Sequence, residues 1–213
     1  IFYRKAYLNS DYKMFDIDTV ILWLQQNPEW VAWGLFLTAF IESFAIIGIF
    51  IPGVVLLAVI SGMSASADFN LLTVLVITFV ASFLADVLSF IIGRRFSKKI
   101  DSTWPFTRNP IWLARGRKFF KNFGVFGVLI GKFIGPIRPV MPLTAGSMNM
   151  EIRSFLLIDI LSSLLWAPLY TLPGYFAGKV AFENLDNPYL LISVFGTFAL
   201  VAIIFITFFR NKA

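Results

Sequence analysis

The chain has 213 residues, of which 58% are hydrophobic and 17% aromatic, while only 14% are charged. A soluble domain carries about 25% charged residues, so this composition excludes a soluble globular protein. Cysteine and histidine are both absent from the sequence, which excludes disulfides, thiolate metal sites and Ser-His or Cys-His nucleophile pairs. Apolar runs of about 20 residues, long enough to cross ~30 Å of hydrocarbon, predict an all-α integral membrane protein.

The first segments in chain order are too short and too mixed in polarity to cross a membrane. We expect residues 1–14 to be an extension or leader without a role in the fold. Residues 15–210 are then expected to form a single transmembrane domain. At its start, residues 15–28 mix apolar and polar positions, which predicts an interfacial amphipathic helix.

Residues 30–63 form a long apolar segment that is interrupted by a helix breaker. The acid Glu42 lies inside the segment, and Pro52 and Gly53 break it a few residues later. The preceding residues 15–29 carry acids but no cation, so both ends of the segment are expected on the outer face. We therefore predict a re-entrant hairpin, called hairpin 1.

A clear spanning helix is predicted over residues 71–92, with one acid, Asp86, inside it. The next segment, 93–122, carries nine cations against one anion, and Arg94 and Arg95 begin it. By the positive-inside rule this segment is a cytoplasmic loop. A basic loop is also found in nucleic-acid-binding proteins, but its position between membrane segments favours contact with anionic lipid and no nucleic acid.

The second half of the chain repeats this plan. Residues 123–148 are an interrupted apolar stretch, called hairpin 2, that begins and ends on the cytoplasmic side. Spans are predicted over 153–177 and 188–209, and the C-terminus is expected in the cytoplasm. The residues expected to form the bends of the two hairpins are Pro52, Gly53, Gly135, Pro136, Pro142 and Gly146.

The two hairpins predict an inverted repeat. Shifting the sequence by 90 positions places Glu42 on Lys132 and Pro52 on Pro142, and the loop charges require opposite orientations for the two halves. Inverted repeats are common in secondary transporters, where broken segments meet near the midplane. Irregular backbone at that depth predicts a polar cavity between the hairpins.

Five charged side chains fall inside apolar segments, where each costs at least ~2.5–3.5 kcal/mol to insert. They are Glu42, Asp86, Lys132, Arg138 and Asp159. Structural ion pairs or side chains that reach the interface would account for them without a function. The alternative is a site for transport, because a charge is retained in a membrane chiefly where it serves a pathway.

Lys132 and Arg138 are the predicted phosphate-binding residues. They lie six residues apart with Gly135 and Pro136 between them, so a bent connection would point both heads into one space. Two adjacent cations repel unless an anion joins them, and a phosphate supplies that anion.

The remaining charged residues are assigned to gating or proton transfer. Glu42 and Asp86 are predicted to be a proton carrier or a gate, and a permanent bridge from Glu42 to Lys132 or Arg138 stays open. Secondary candidates are Asp159, Arg94 and Arg95.

Three stretches resemble the DedA family of bacterial inner-membrane proteins, which is related to eukaryotic lipid scramblases. They are "FIESFAIIGIFIPG", "ADVLSFIIGRRF" and "GKFIGPIRPVMPLTAG". The third resembles the family signature G-R-F-x-P-x-x-R-x-x-x-P-x-x-A-G. By position, Glu42 matches the family's essential hairpin acid, and Lys132 and Arg138 match its two essential basic positions. Lys132 replaces the usual Arg, and Val54 replaces an acid that many members carry.

The resemblance implies a multi-pass protein of the bacterial inner membrane that carries undecaprenyl phosphate or another anionic lipid. Proton coupling is left open, as is a homo-oligomer. The alternatives are a proton-coupled antiporter for small ions or solutes, a phospholipid scramblase, and a scaffold without transport activity. "KFIGPIRP" also resembles an element of lipid phosphate phosphatases, which need histidine, so we expect no enzyme activity. No cofactor and no metal site are predicted.

Overall fold

The structure, a computed structural model of the full chain, describes residues 22–23, 26–48, 53–67, 69–135 and 137–183. These residues form seven α-helices and a short 3₁₀ helix, Ile100–Ser102. The α-helices are α1 (Pro28–Ser43), α2 (Gly53–Ser66), α3 (Leu71–Arg95), α4 (Pro110–Phe123), α5 (Phe126–Gly131), α6 (Val140–Ser147) and α7 (Ile152–Glu183). Most of the predicted interfacial helix 15–28, and the whole predicted span 188–209, lie outside the described residues.

Within the described residues, two helices are long and apolar enough to cross a membrane, and both coincide with predicted spans. Helix α3 has 25 residues and α7 has 32. Asn70 caps α3, because its side chain accepts a hydrogen bond from the Leu72 amide at 2.9 Å. Helix α7 continues through Pro168 and Pro173, as membrane helices can when neighbouring groups satisfy the freed backbone.

The predicted hairpins are short helices in this structure. Helices α1 and α2, of 16 and 14 residues, are separated by 44–52 and pack against each other; α5 and α6 have six and eight residues and are also in contact. Each is shorter than the ~20 residues that span a bilayer. The breaks are therefore present, whereas re-entry into the membrane stays a prediction.

Two of the residues predicted to bend hairpin 2 lie inside a helix instead. Pro142 is in the first turn of α6, where a missing amide hydrogen costs little, and Gly146 is near its end. A Cβ atom at Gly146 would collide with the Phe90 carbonyl oxygen of α3. The bend is at residues 132–139, and Gly146 serves close packing between α3 and α6 rather than the turn.

The basic segment 93–122 is also more ordered than a loop. Helix α3 extends through Arg95, and α4 occupies the second half of the segment. Leu113 and Gly116 of α4 are buried, whereas its cations Arg115, Lys118 and Lys121 are exposed. Polar and apolar positions that alternate at helical spacing produce this two-faced helix, which a count of charges alone does not reveal.

The described helices expose large apolar side chains and bury small polar ones beside an apolar core. Leu72 and Leu157 are 66% and 72% exposed, whereas Thr78, Ser82 and Ser162 are fully buried, as are core residues such as Leu35 and Trp166. Widespread exposure of apolar side chains is expected where lipid is the solvent.

Small residues allow α2 to approach α7 closely. Gly174 and Gly178 form a GxxxG pair on α7, and a Cβ at either position would collide with the α2 backbone at Ala58 or Gly62. Membrane helices commonly pack through such pairs because apolar burial supplies little driving force between them in lipid. Helix α7 thereby joins α2, and it also packs along α3.

Candidate functional site

Lys132 lies at the centre of one buried polar cluster. It follows α5 directly, and its Nζ donates to Asp86 Oδ2 at 2.5 Å and to Ser163 Oγ at 2.5 Å. Asp159 Oδ1 is 3.5 Å from the same nitrogen. Lys132 and Asp86 are 4% and 3% exposed and Asp159 is not exposed at all, so this ion-pair cluster is shielded from solvent.

Arg138 forms a second buried cluster with the end of α1. Its Nη1 donates to Glu42 Oε1 at 2.7 Å, and its Nη2 lies 3.5 Å from Ser43 Oγ. The Ser43 hydroxyl in turn donates to Ser82 Oγ of α3 at 3.0 Å. Arg138 is 7% exposed and Glu42 is 4% exposed, so the pair is enclosed by protein.

The indole ring of Trp166 brings the two clusters together. The Arg138 guanidinium carbon lies 4.3 Å from the ring centroid, and Lys132 Nζ lies 5.9 Å from the same centroid. Tyr170 stacks on Trp166, with ring centroids 4.9 Å apart, and lies 5.2 Å from the Arg138 guanidinium. Cation–π attraction at a desolvated site contributes about 2 kcal/mol, so Trp166 helps to hold both cations.

The buried charges do not balance. Within the described ranges, three carboxylates (Glu42, Asp86 and Asp159) and two cations (Lys132 and Arg138) are buried. Glu42 Oε2, Arg138 Nε and Asp159 Oδ2 have no hydrogen-bond partner there. Buried polar atoms are nearly always hydrogen-bonded, so these three mark a polar site rather than a finished structural core.

The polar residues of the site follow helical stripes on the two long helices. Ser82, Asp86 and Ser89 recur at intervals of four and three residues on α3. On α7 the same spacing relates Asp159, Ser163, Trp166 and Tyr170. Residues at these intervals share one face of a helix. The stripes of α3 and α7 face each other, and each lies on the buried side of its helix.

The structure brings together all five charged residues that were predicted within apolar segments. It separates them into two clusters, however, in which Lys132 and Arg138 have different carboxylate partners and share only the Trp166 ring. Of the two cations considered as bridge partners of Glu42, Arg138 is the one that pairs with it in the structure. Arg94 and Arg95 are exposed at the end of α3 and take no part in either cluster.

Four predicted bend residues remain, and two of them are among the described residues. Gly53 begins α2 and Gly135 lies in the turn between α5 and α6, while Pro52 and Pro136 lie outside the described residues. The prediction omitted the neutral residues of the site, which are Ser43, Ser163, Trp166 and Tyr170. Ser163, Trp166 and Tyr170 follow Asp159 at helical spacing. This run of polar and aromatic residues on one face of α7 is the sequence signal that could have identified them.

The chain is similar to one domain family and to several bacterial membrane proteins. The VTT domain matches residues 51–176. Inner membrane protein YabI of Escherichia coli (strain K12) is 31% identical over 156 residues, which cover 73% of this chain and 61% of YabI. Protein DedA of the same strain is 30% identical over 168 residues, covering 76% of this chain and 75% of DedA.

An uncharacterized membrane protein of Buchnera aphidicola subsp. Baizongia pistaciae (strain Bp) is 30% identical over 160 residues, covering 74% of this chain and 62% of that protein. The chain thus spans about three-fifths of the length of the first curated relatives it matches. No solved structure matches the chain.

Proposed function

Because this membrane protein belongs to the DedA family of VTT-domain proteins, we propose that it moves a lipid phosphate across the bacterial inner membrane. Undecaprenyl phosphate is the first candidate substrate. One observation carries the proposal: two buried cations, Lys132 and Arg138, lie within 6 Å of the centre of one tryptophan ring. An anionic headgroup needs such counter-charge to pass through hydrocarbon.

In this proposal the carboxylates act as internal substitutes for the lipid phosphate. Glu42 forms an ion pair with Arg138, and Asp86 and Asp159 form ion pairs with Lys132. Both cations therefore stay paired when no lipid is bound. An arriving phosphate takes over hydrogen bonds from the Arg138 guanidinium, whose flat fork suits phosphate oxygens. Repulsion between the phosphate and Glu42 then opens the pair and frees the helices that it joins.

The hairpins supply the path in this proposal. Hairpins 1 and 2 re-enter from opposite faces as an inverted repeat, and the polar headgroup crosses between them while the polyprenyl chain stays in lipid. The short lengths of α1, α2, α5 and α6 support this arrangement, as does the burial of Glu42 and Arg138 beside the breaks. The basic segment 93–122 and the C-terminus face the cytoplasm.

The test is a flux assay with purified full-length protein in liposomes that contain undecaprenyl phosphate. The appearance of the phosphate headgroup in the opposite leaflet is measured for wild type, Lys132→Ala and Arg138→Ala. Arg117→Gln is the matched control, because Arg117 is a partly exposed cation that pairs with Asp101 outside the site. Transfer should be lost in the first two variants and kept in the control.

Equal rates of lipid transfer by wild type and Arg138→Ala, with both proteins monodisperse, would overturn the proposal. The same liposomes separate the alternatives. Equal transfer of undecaprenyl phosphate and of ordinary phospholipids would identify a scramblase. Proton-driven flux of a small solute without lipid transfer would identify an antiporter.

A further inference from the structure

Two acids from different helices face one ammonium group in the Lys132 cluster. Asp86 reaches Lys132 Nζ from α3, and Asp159 reaches it from α7, so carboxylate oxygens of both lie within 3.5 Å of the same nitrogen. None of the three side chains is more than 5% exposed. Two carboxyl groups thus share one ammonium group inside an apolar protein.

The other charged groups near this cluster do not correct the imbalance. Arg138, whose guanidinium carbon lies 4.3 Å from the Trp166 ring centroid, is already paired with Glu42. Hydroxyl groups supply the other polar contacts of the cluster. Ser163 Oγ accepts from Lys132 Nζ, and Ser162 Oγ lies 3.3 Å from Asp159 Oδ1. No further buried cation is present in the described part of the chain.

Adjacent carboxylates resist ionising together, because each charge disfavours the other and burial disfavours both. Such a pair commonly holds one proton between its members. Asp86 makes the close contact to the ammonium, whereas Asp159 makes the longer one and has an oxygen, Oδ2, without a hydrogen-bond partner. The geometry leaves that oxygen available to carry a hydrogen.

We infer that Asp86 and Asp159 form a proton-binding site that holds one proton, with Asp159 as its main carrier and Lys132 as the fixed counter-charge. The site is distinct from Glu42, whose charge is matched by Arg138. Release of the proton leaves a net negative charge between α3 and α7. Loss of the proton therefore disfavours close packing of these two helices at the site. The inference does not require that the protein carries a lipid.

Infrared spectroscopy of the purified full-length protein tests this inference directly, without a transport assay. A protonated carboxylic acid has a C=O stretch that is separate from the carboxylate bands and shifts in D₂O. At neutral pH we expect such a band in wild type. Asp159→Asn and Asp86→Asn should each remove it, because the single acid that remains is then matched by the charge of Lys132. The exposed acid Glu151 supplies the control, Glu151→Gln, which should leave the band unchanged.

Lys132→Met provides a gain of signal that a misfolded protein would not imitate. Without the ammonium, both acids should hold a proton, so the band should grow about twofold. Absence of the band in wild type, its survival in either Asn variant, or no growth in Lys132→Met would overturn the inference. A band lost only in Glu42→Gln would place the proton at Glu42 and have the same effect. A protein that moves no lipid but shows the expected spectra would refute the proposed function alone.

Discussion

Replacing Glu42 by Gln removes the carboxylate that holds Arg138, and we expect the free energy of unfolding to fall by about 3–5 kcal/mol. The hydrogen bond from Arg138 Nη1 to Glu42 Oε1, at 2.7 Å, contributes about 1.5–3 kcal/mol while both partners are charged, and the neutral amide oxygen of Gln retains only part of it. The rest arises because the guanidinium, only 7% exposed, keeps its charge without a counter-ion.

An exposed ion pair of the same chain provides the matched control. Arg117 donates two hydrogen bonds to Asp101, at 2.8 and 2.9 Å, so its geometry is at least as good as that of the buried pair. Its side chains are 32% and 61% exposed, however. Asp101→Asn should therefore change the free energy of unfolding by no more than about 1 kcal/mol.

A double variant separates stability from function. Replacing both members of the pair by apolar residues of similar size, as in Glu42→Leu with Arg138→Met, removes the uncompensated charge. Stability should return to within about 1–2 kcal/mol of wild type, whereas lipid transfer should stay absent. Unfolding can be followed by tryptophan fluorescence during titration of mixed micelles with a denaturing detergent. Equal losses in Glu42→Gln and Asp101→Asn, or a double variant no more stable than Glu42→Gln, would refute the reasoning.

Three further predictions address packing, the aromatic ring and orientation. Gly174→Ala places a Cβ against the α2 backbone and should destabilise the protein by about 1–3 kcal/mol in the same titration, whereas Gly34→Ala, which meets only a side chain at 3.7 Å, should not. Equal effects of the two would contradict close helix packing. Trp166→Leu should lower stability by about 2 kcal/mol or more, and Trp166→Phe should lose less because it keeps a ring face for the cations; a Phe variant as impaired as Leu would argue against that role. Since the chain has no cysteine, Lys118→Cys should react with an impermeant maleimide from the cytoplasmic side and Asn70→Cys from the outer side; the reverse pattern would overturn the orientation.

Much of the fold follows from local properties of the sequence. The long apolar sequences of α3 and α7 predict spanning helices without knowledge of their neighbours, because length and hydropathy suffice to recognise a span. The two breaks follow from local rules, since the adjacent pairs Pro52-Gly53 and Gly135-Pro136 disfavour a continuous helix. Single prolines do not suffice, because α7 continues through Pro168 and Pro173. Helix α4 differs from the predicted loop, because a high content of cations does not prevent a helix whose apolar positions repeat at helical intervals.

The partners of the buried charges illustrate what local rules leave open. Lys132 and Asp86 are separated by 46 residues, and Arg138 and Glu42 by 96. The cost of inserting a charge into the membrane predicts that each of these side chains has a partner of opposite charge. That cost does not predict which of the three acids pairs with which cation. The stripe from Asp159 to Tyr170 indicates which face of α7 is buried, not which residue of another helix it meets.

The amino-acid sequence alone identifies a helical membrane protein of the DedA family, with two interrupted segments and charges inside them. Composition, hydropathy and helix breakers act over a few residues, so they can be recognised along the chain. The folded arrangement is needed to show that Arg138 pairs with Glu42, that Lys132 contacts two acids, and that Trp166 lies beside both cations. Those choices depend on how α3 and α7 approach the short helices, and that approach is set by side-chain packing between segments far apart in the chain.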